Sequence, residues 1–109
     1  MSKASYWQRG ESLDYKNTTG EMIQADTIVT LDTRIGIAGK DIGNNEIGSL
    51  HVVGVYEMPK LQTDDILFGA AVYYDGTQIT LSQDGNTPAG YAVQAAGIDT
   101  TKVLVKLLG

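Results

Sequence analysis

Apolar and polar residues alternate along most of this chain with a period of two, the spacing of half-buried β-strands. In "TRIGIAG", Ile35 and Ile37 fall on one face with glycine and alanine opposite. "TQITLSQ" sets Ile79 and Leu81 against Gln78, Thr80 and Ser82. "TKVLVKL" turns Val103, Val105 and Leu107 inward while Lys102 and Lys106 face water. "SLHVVGVYEM" departs from the pattern, because Leu50, Val52, Tyr56 and Met58 stand against an equally apolar Val53 and Val55. It reads as a strand covered on both faces, with Gly54 marking a bulge or a close backbone approach. The expected core is Ile28, Leu31, Ile35, Ile37, Val52, Val55, Val72, Ile79, Leu81, Val93, Val103 and Val105.

Turn residues punctuate these runs at "NTTG" (17–20), "GNNEIG" (43–48), "YDGT" (74–77) and "QDGNTPAG" (83–90). Asp75-Gly76 is the clearest hairpin, since Asp-Gly accepts the positive φ of a type I′ turn. The pattern predicts an all-β fold, a compact β-sandwich or barrel (jelly-roll-like) of roughly seven to nine short strands. It is a single β domain over residues 1–109, with 1–9 as an N-terminal arm or an edge strand. Only "LQTDDILFG" (61–69) offers a helical turn, with Thr63 or Asp64 as N-cap. No helix beyond about two turns is expected.

Length sharpens this picture. A chain of 109 residues builds a modest core, so oligomerisation or docking on a larger body supplies further burial. Thirteen acids against eight cations give a net charge of −5. The cations Lys3, Arg9, Lys16, Arg34, Lys40, Lys60, Lys102 and Lys106 are scattered, which argues against the clustered basic footprint of a nucleic-acid binder. Without cysteine there is neither a disulfide framework nor a thiolate zinc site, as suits a reducing cytoplasm. "MSKASYWQRGE" has no apolar signal-peptide segment, and no run of about 18 apolar residues predicts a membrane span.

Candidate chemistry is sparse. His51, the sole histidine, alternates with apolar neighbours and reads as a strand histidine; no G-x-S-x-G elbow accompanies it. Asp64 and Asp65 read as capping or solvated charges, because adjacent strand residues point to opposite faces. "DGN" (84–86) lacks the frame of a calcium loop, and "GIAGKDIG" (36–43) lacks the spacing of a phosphate loop. Glu11 and Asp14 have no groove to flank. No catalytic, cofactor or metal residue is therefore expected. Aromatic residues remain, and Tyr and Trp favour interfaces because one end is apolar and the other wet. The Tyr6-Trp7 pair precedes Gly10 in the N-terminal segment, placed either to anchor a partner or to pair as a first strand within its own sheet.

"GESLDYKNTTG", "GVYEMPK", "GAAVYYDGT", "AGYAVQAA" and the closing "VLVKL", taken in order, resemble the small phage capsid cement or decoration proteins of the DUF2190 type. The resemblance covers nearly the whole chain. It departs at Tyr74, where tryptophan is common, and at "DDILFG", which lacks the usual glycine-aspartate pair. The resemblance implies a structural virion protein rather than an enzyme. It would bind the major capsid protein on the outside of a tailed-phage capsid and stabilise subunit seams as a symmetric dimer or trimer. It would be made in the bacterial host cytoplasm, with no cofactor, nucleic-acid or membrane partner. The interface residues expected, toward capsid or toward itself, are Tyr6, Trp7, Arg9, Tyr56, Glu57, Met58 and Lys60. In "GVYEMPK", Pro59 would stop the ladder and leave Glu57 and Lys60 at a rim, while Tyr56 and Met58 either join that rim or finish the core. Two other readings stand beside this one. A small carbohydrate-binding β-module would stack sugars on Tyr73, Tyr74 and Trp7 as coplanar exposed rings, and a small hydrolase would rely on the lone histidine.

Overall fold

The computed structural model describes residues 2–108; Met1, the first residue of the expected arm, lies outside them. Nine strands follow in order: β1 (Ser12–Lys16), β2 (Ile28–Thr30), β3 (Ile35–Ala38), β4 (Ile47–His51), β5 (Val55–Pro59), β6 (Ala71–Tyr74), β7 (Ile79–Thr80), β8 (Thr87–Ala92) and β9 (Lys102–Leu107). They form two antiparallel sheets, one of four strands in the order β1-β4-β3-β2 and one of five in the order β5-β9-β8-β6-β7. The fold is all-β, a sandwich of two unequal sheets. A bridge from Lys60, just past β5, to Ile79 in β7 links the two outer strands of the larger sheet and curls it. No helix occurs among the described residues.

The main core lies inside the curled sheet. Met58, Val72, Ile79, Ala92, Val103, Val105 and Leu107 meet there, and Ile35 and Ile37 of β3 close it from the smaller sheet. A second, smaller core of Val29, Ala38, Leu50, Ile23 and Ile42 occupies the other face of the four-stranded sheet. Seven of the twelve expected core residues are buried, and Ile28, Leu31 and Val93 are half-buried. Val55 and Leu81 are exposed.

Val55 is exposed because "SLHVVGVYEM" is not one strand. Gly54, at φ 127°, turns the chain from β4 in one sheet to β5 in the other, so it is neither a bulge nor a crowded approach but a corner. The alternation restarts beyond it: Tyr56 and Met58 point inward, and Val55 joins the outer row with Lys106 and Tyr91. Leu81 sits past the end of the two-residue β7, where its N–H donates to the Asp64 carboxylate at 2.9 Å. The same carboxylate accepts the Thr80 hydroxyl. Asp64 thus ties down a strand end instead of capping a helix, and residues 61–69 form turns around the Ile66 bridge.

Asp75-Gly76 does make a hairpin, yet not of type I′. The loop holds Asp75 through Gln78, with Tyr74 paired to Ile79. Of the two central residues only Gly76 has a positive φ, and the Asp75 carboxylate accepts the N–H groups of Thr77 and Gln78 at 2.8 and 2.9 Å. Those two bonds are the main cause that holds its carboxyl below the usual carboxylate range.

A backbone device recurs through the chain. The segments Gln24–Thr27, Gly43–Glu46, Leu67–Ala70, Gln83–Asn86 and Gly97–Thr100 each close with the fourth N–H donating to the first carbonyl. Their third residues Asp26, Asn45, Gly69, Gly85 and Asp99 have φ between 66° and 87°, the signature of type II turns. Four of the five follow a bridging residue: Ile23 pairs with Ile42 and Ile66 with Ala96, each through two reciprocal backbone bonds. One bridge lies over the smaller sheet and the other closes an end of the larger core.

Candidate functional site

Residues 2–10 carry no regular secondary structure, and β1 begins only at Ser12. The arm therefore does not pair as a first strand in its own sheet. Tyr6 is 81% exposed and Trp7 89%, while the Arg9 guanidinium sits 3.4 Å from the Glu11 carboxylate in full solvent. The Cα radius of gyration is 15.1 Å and the extents are 43 × 42 × 23 Å, against a radius of about 13 Å for a compact chain of this size.

Within "GVYEMPK" the expected residues part ways. Met58 is buried in the main core. Lys60, expected at a rim, is only 3% exposed, because the Ile79 bridge draws it inside. Its ammonium donates to the carbonyls of Gly97 and Thr100 at 3.1 Å each and so pins the turn that follows Ala96. Both side chains are buried in the single chain. Tyr56 is half-buried and Glu57 exposed. These two border a cleft of about 260 Å³ between β5 and the β2–β3 pair, whose wall also includes Asp26, Ile28, Ile37 and Met58. Burial, and then the Asp26 charge, push the Tyr56 phenol pKa up. The cleft is lined by apolar side chains, with the exposed acids Asp26 and Glu57 at its mouth.

Asn17 is a residue that sequence reasoning missed. It is fully buried, and its amide nitrogen donates to the carbonyls of Glu21 and Ile42 at 2.6 and 2.9 Å. Its side-chain oxygen accepts from the N–H and hydroxyl of Thr19. In "KNTTG" it looks like an ordinary turn asparagine, and nothing local announces the partner at Ile42.

A second omission is the apolar corner beside the Ile66 bridge. Leu67 and Phe68, 65% and 73% exposed, occupy the first two places of one type II turn, and the exposed Ile98 stands at the second place of the other. Three exposed large apolar side chains on turn tips were legible as "ILFG" and "GID", had those segments been read as turns.

The remaining expectations concern chemistry. Tyr73 and Tyr74 are consecutive on β6 and point to opposite faces; Tyr74 packs on the core and donates its hydroxyl to the Gly76 carbonyl. With Trp7 on the arm, the three rings make no common sugar platform. His51 lies in β4 between Ser12 and Ile37, its ring crowding against Gly39, as a strand histidine does. Among the described residues no three His, Asp or Glu side chains gather as a metal site.

A family model described as phage cement protein matches residues 7–107. The chain belongs to that family. The family corresponds to DUF2190, the type that the sequence motifs resemble. It is structural and non-enzymatic, so the chain has a capsid-stabilising role in the virion and its partners are capsid proteins. No curated protein and no solved structure matches the chain.

Proposed function

We propose that this cement protein lies on the outside of a tailed-phage capsid and locks neighbouring subunits across their seams. It is made in the bacterial host cytoplasm and acts as a symmetric dimer or trimer. Exposed large apolar side chains at places where they add nothing to the core carry this reading: Leu67, Phe68 and Ile98 on turn tips, with Tyr6 and Trp7 on the arm. Such a protein binds the assembled lattice and not separated subunits, so it stabilises the shell by linkage. Tyr6, Trp7, Arg9, Tyr56 and Glu57 serve interfaces with capsid or with other copies, whereas Met58 and Lys60 hold the fold that displays them.

Purified protein mixed with expanded, undecorated capsids and sedimented provides the test. Saturable co-sedimentation, with decorated shells melting at higher temperature than bare ones, is the expected result. Binding only to unassembled capsid subunits, or none at all, would contradict it.

A further inference from the structure

We propose that the N-terminal arm of one copy lies in the β2–β5 cleft of a second copy, with Trp7 filling it. This deepens the oligomer part of the reading above and is independent of the capsid.

The cleft runs between two strands that each have a neighbour on one side only: β2 ends the smaller sheet and β5 the larger. Free strand edges accept an extended segment through backbone hydrogen bonds, and the pockets between them select its side chains. About 260 Å³ is available; a cavity of about 150 Å³ holds benzene, so an indole fits. Ile28, Ile37 and Met58 supply the apolar wall and Tyr56 an aromatic one.

Charge identifies the occupant. Residues 2–9, "SKASYWQR", hold Lys3 and Arg9 and no acid, leaving six cations against thirteen acids on the rest of the chain. The cleft's charged residues are Asp26 and Glu57, both acidic. An extended, cationic, aromatic segment thus faces an acidic-mouthed apolar cleft in the same sequence, which favours association and its register.

The arm does not serve its own cleft. Ser12 pairs with His51, His51 with Ile37, and Ile37 with Ile28, so one row crosses the smaller sheet from the arm's root to the cleft. That row spans three strand spacings, about 14 Å. Trp7 stands five residues before Ser12 and reaches at most about 18 Å at full stretch. That reach covers the row, yet in the single chain Trp7 is 89% exposed and is not among the residues lining the cleft. A second copy's arm enters freely.

Trp7 is the single tryptophan, so its emission reports directly on its surroundings. Sedimentation velocity and tryptophan fluorescence of the full chain, followed over a concentration series without capsid, form the test. Mass should rise from monomer to dimer or trimer while emission shifts to the blue in step, and salt should weaken both. Trp7→Ala should weaken association tenfold or more at unchanged melting temperature. Arg9→Glu and Glu57→Lys should each weaken it several-fold, and the two together should restore it. Both charges are exposed, so neither change threatens folding. Four results would overturn the proposal: mass rising with emission unshifted, emission already blue in the monomer, a monomer with exposed tryptophan at every concentration, or association indifferent to all three substitutions. Each leaves the capsid reading standing, to be judged by co-sedimentation alone.

Discussion

Around Ile23 and Ile42 the chain makes two type II turns on either side of a two-way bridge, and around Ile66 and Ala96 it does the same. The backbone is repeated; the side chains are not. The first corner shows Gln24, Ala25, Gly43 and Asn44 to solvent, and the second shows Leu67, Phe68 and Ile98. Beneath the first, the Asn17 amide holds the Ile42 carbonyl. Beneath the second, the Lys60 ammonium holds the carbonyls of Gly97 and Thr100. Since both corners fold by the same turns and bridge, folding does not call for the apolar tips of the second. The capsid contact proposed above accounts for their presence.

The pins offer the strongest way to break the comparison. Asn17→Ala removes four side-chain bonds at a buried site and should cost about 3 kcal/mol, read by denaturant unfolding. Lys60→Met loses two bonds but also removes a charge that was costly to bury, so about 1–2 kcal/mol is expected. A larger loss at Lys60 than at Asn17 would show that the second corner depends on its pin more than the first.

Left-handed turn positions sharpen it further. Gly69→Ala places a Cβ at φ 87° and should cost about 1–2 kcal/mol, although nothing lies near enough to clash. Asn45→Gly, the equivalent place at the first corner, should change stability by a few tenths of a kcal/mol at most, because asparagine already tolerates that conformation.

The outcome at Asn17, Lys60 and Gly54 also marks what sequence can reveal. Alternation located the strands around Ile35, Ile79 and Val103 because burial of one face is a local, period-two property. It failed at "SLHVVGVYEM", where a corner at Gly54 and a two-faced strand leave the same pattern of apolar residues. Placing both Val52 and Val55 inside, three residues apart, already required a break in the register. Asn17 and Lys60 were misjudged for another reason: their partners lie 25 and 37 or more residues away, and no spacing rule anticipates them. Of the expected interface residues, Tyr6, Trp7, Arg9 and Glu57 are exposed; the first three lie in a segment without alternation, which has no core to enter.

The smallest expected effect sits at Asp75, in neither corner. Its carboxyl is held low mainly by the Thr77 and Gln78 N–H bonds, so its folded pKa lies below the unfolded one. Its contribution is fully present above the unfolded carboxylate pKa and disappears as pH falls through the folded value. Melting temperatures of the wild type and Asp75→Asn should therefore differ at neutral pH and converge in acid, by a modest amount because the group is exposed. Convergence at neutral pH and divergence in acid would reverse the assignment.

The apolar tips carry the central claim, and Phe68→Ser tests it directly by co-sedimentation with expanded, undecorated capsids, beside Asn44→Ser as the matched change on the polar corner. Burying a phenylalanine contributes about 1.5–3 kcal/mol, so Phe68→Ser should weaken capsid binding tenfold or more with no fall in melting temperature. Asn44→Ser should bind as the wild type does. Undiminished capsid binding by Phe68→Ser, or a loss of binding matched by Asn44→Ser, would contradict the account.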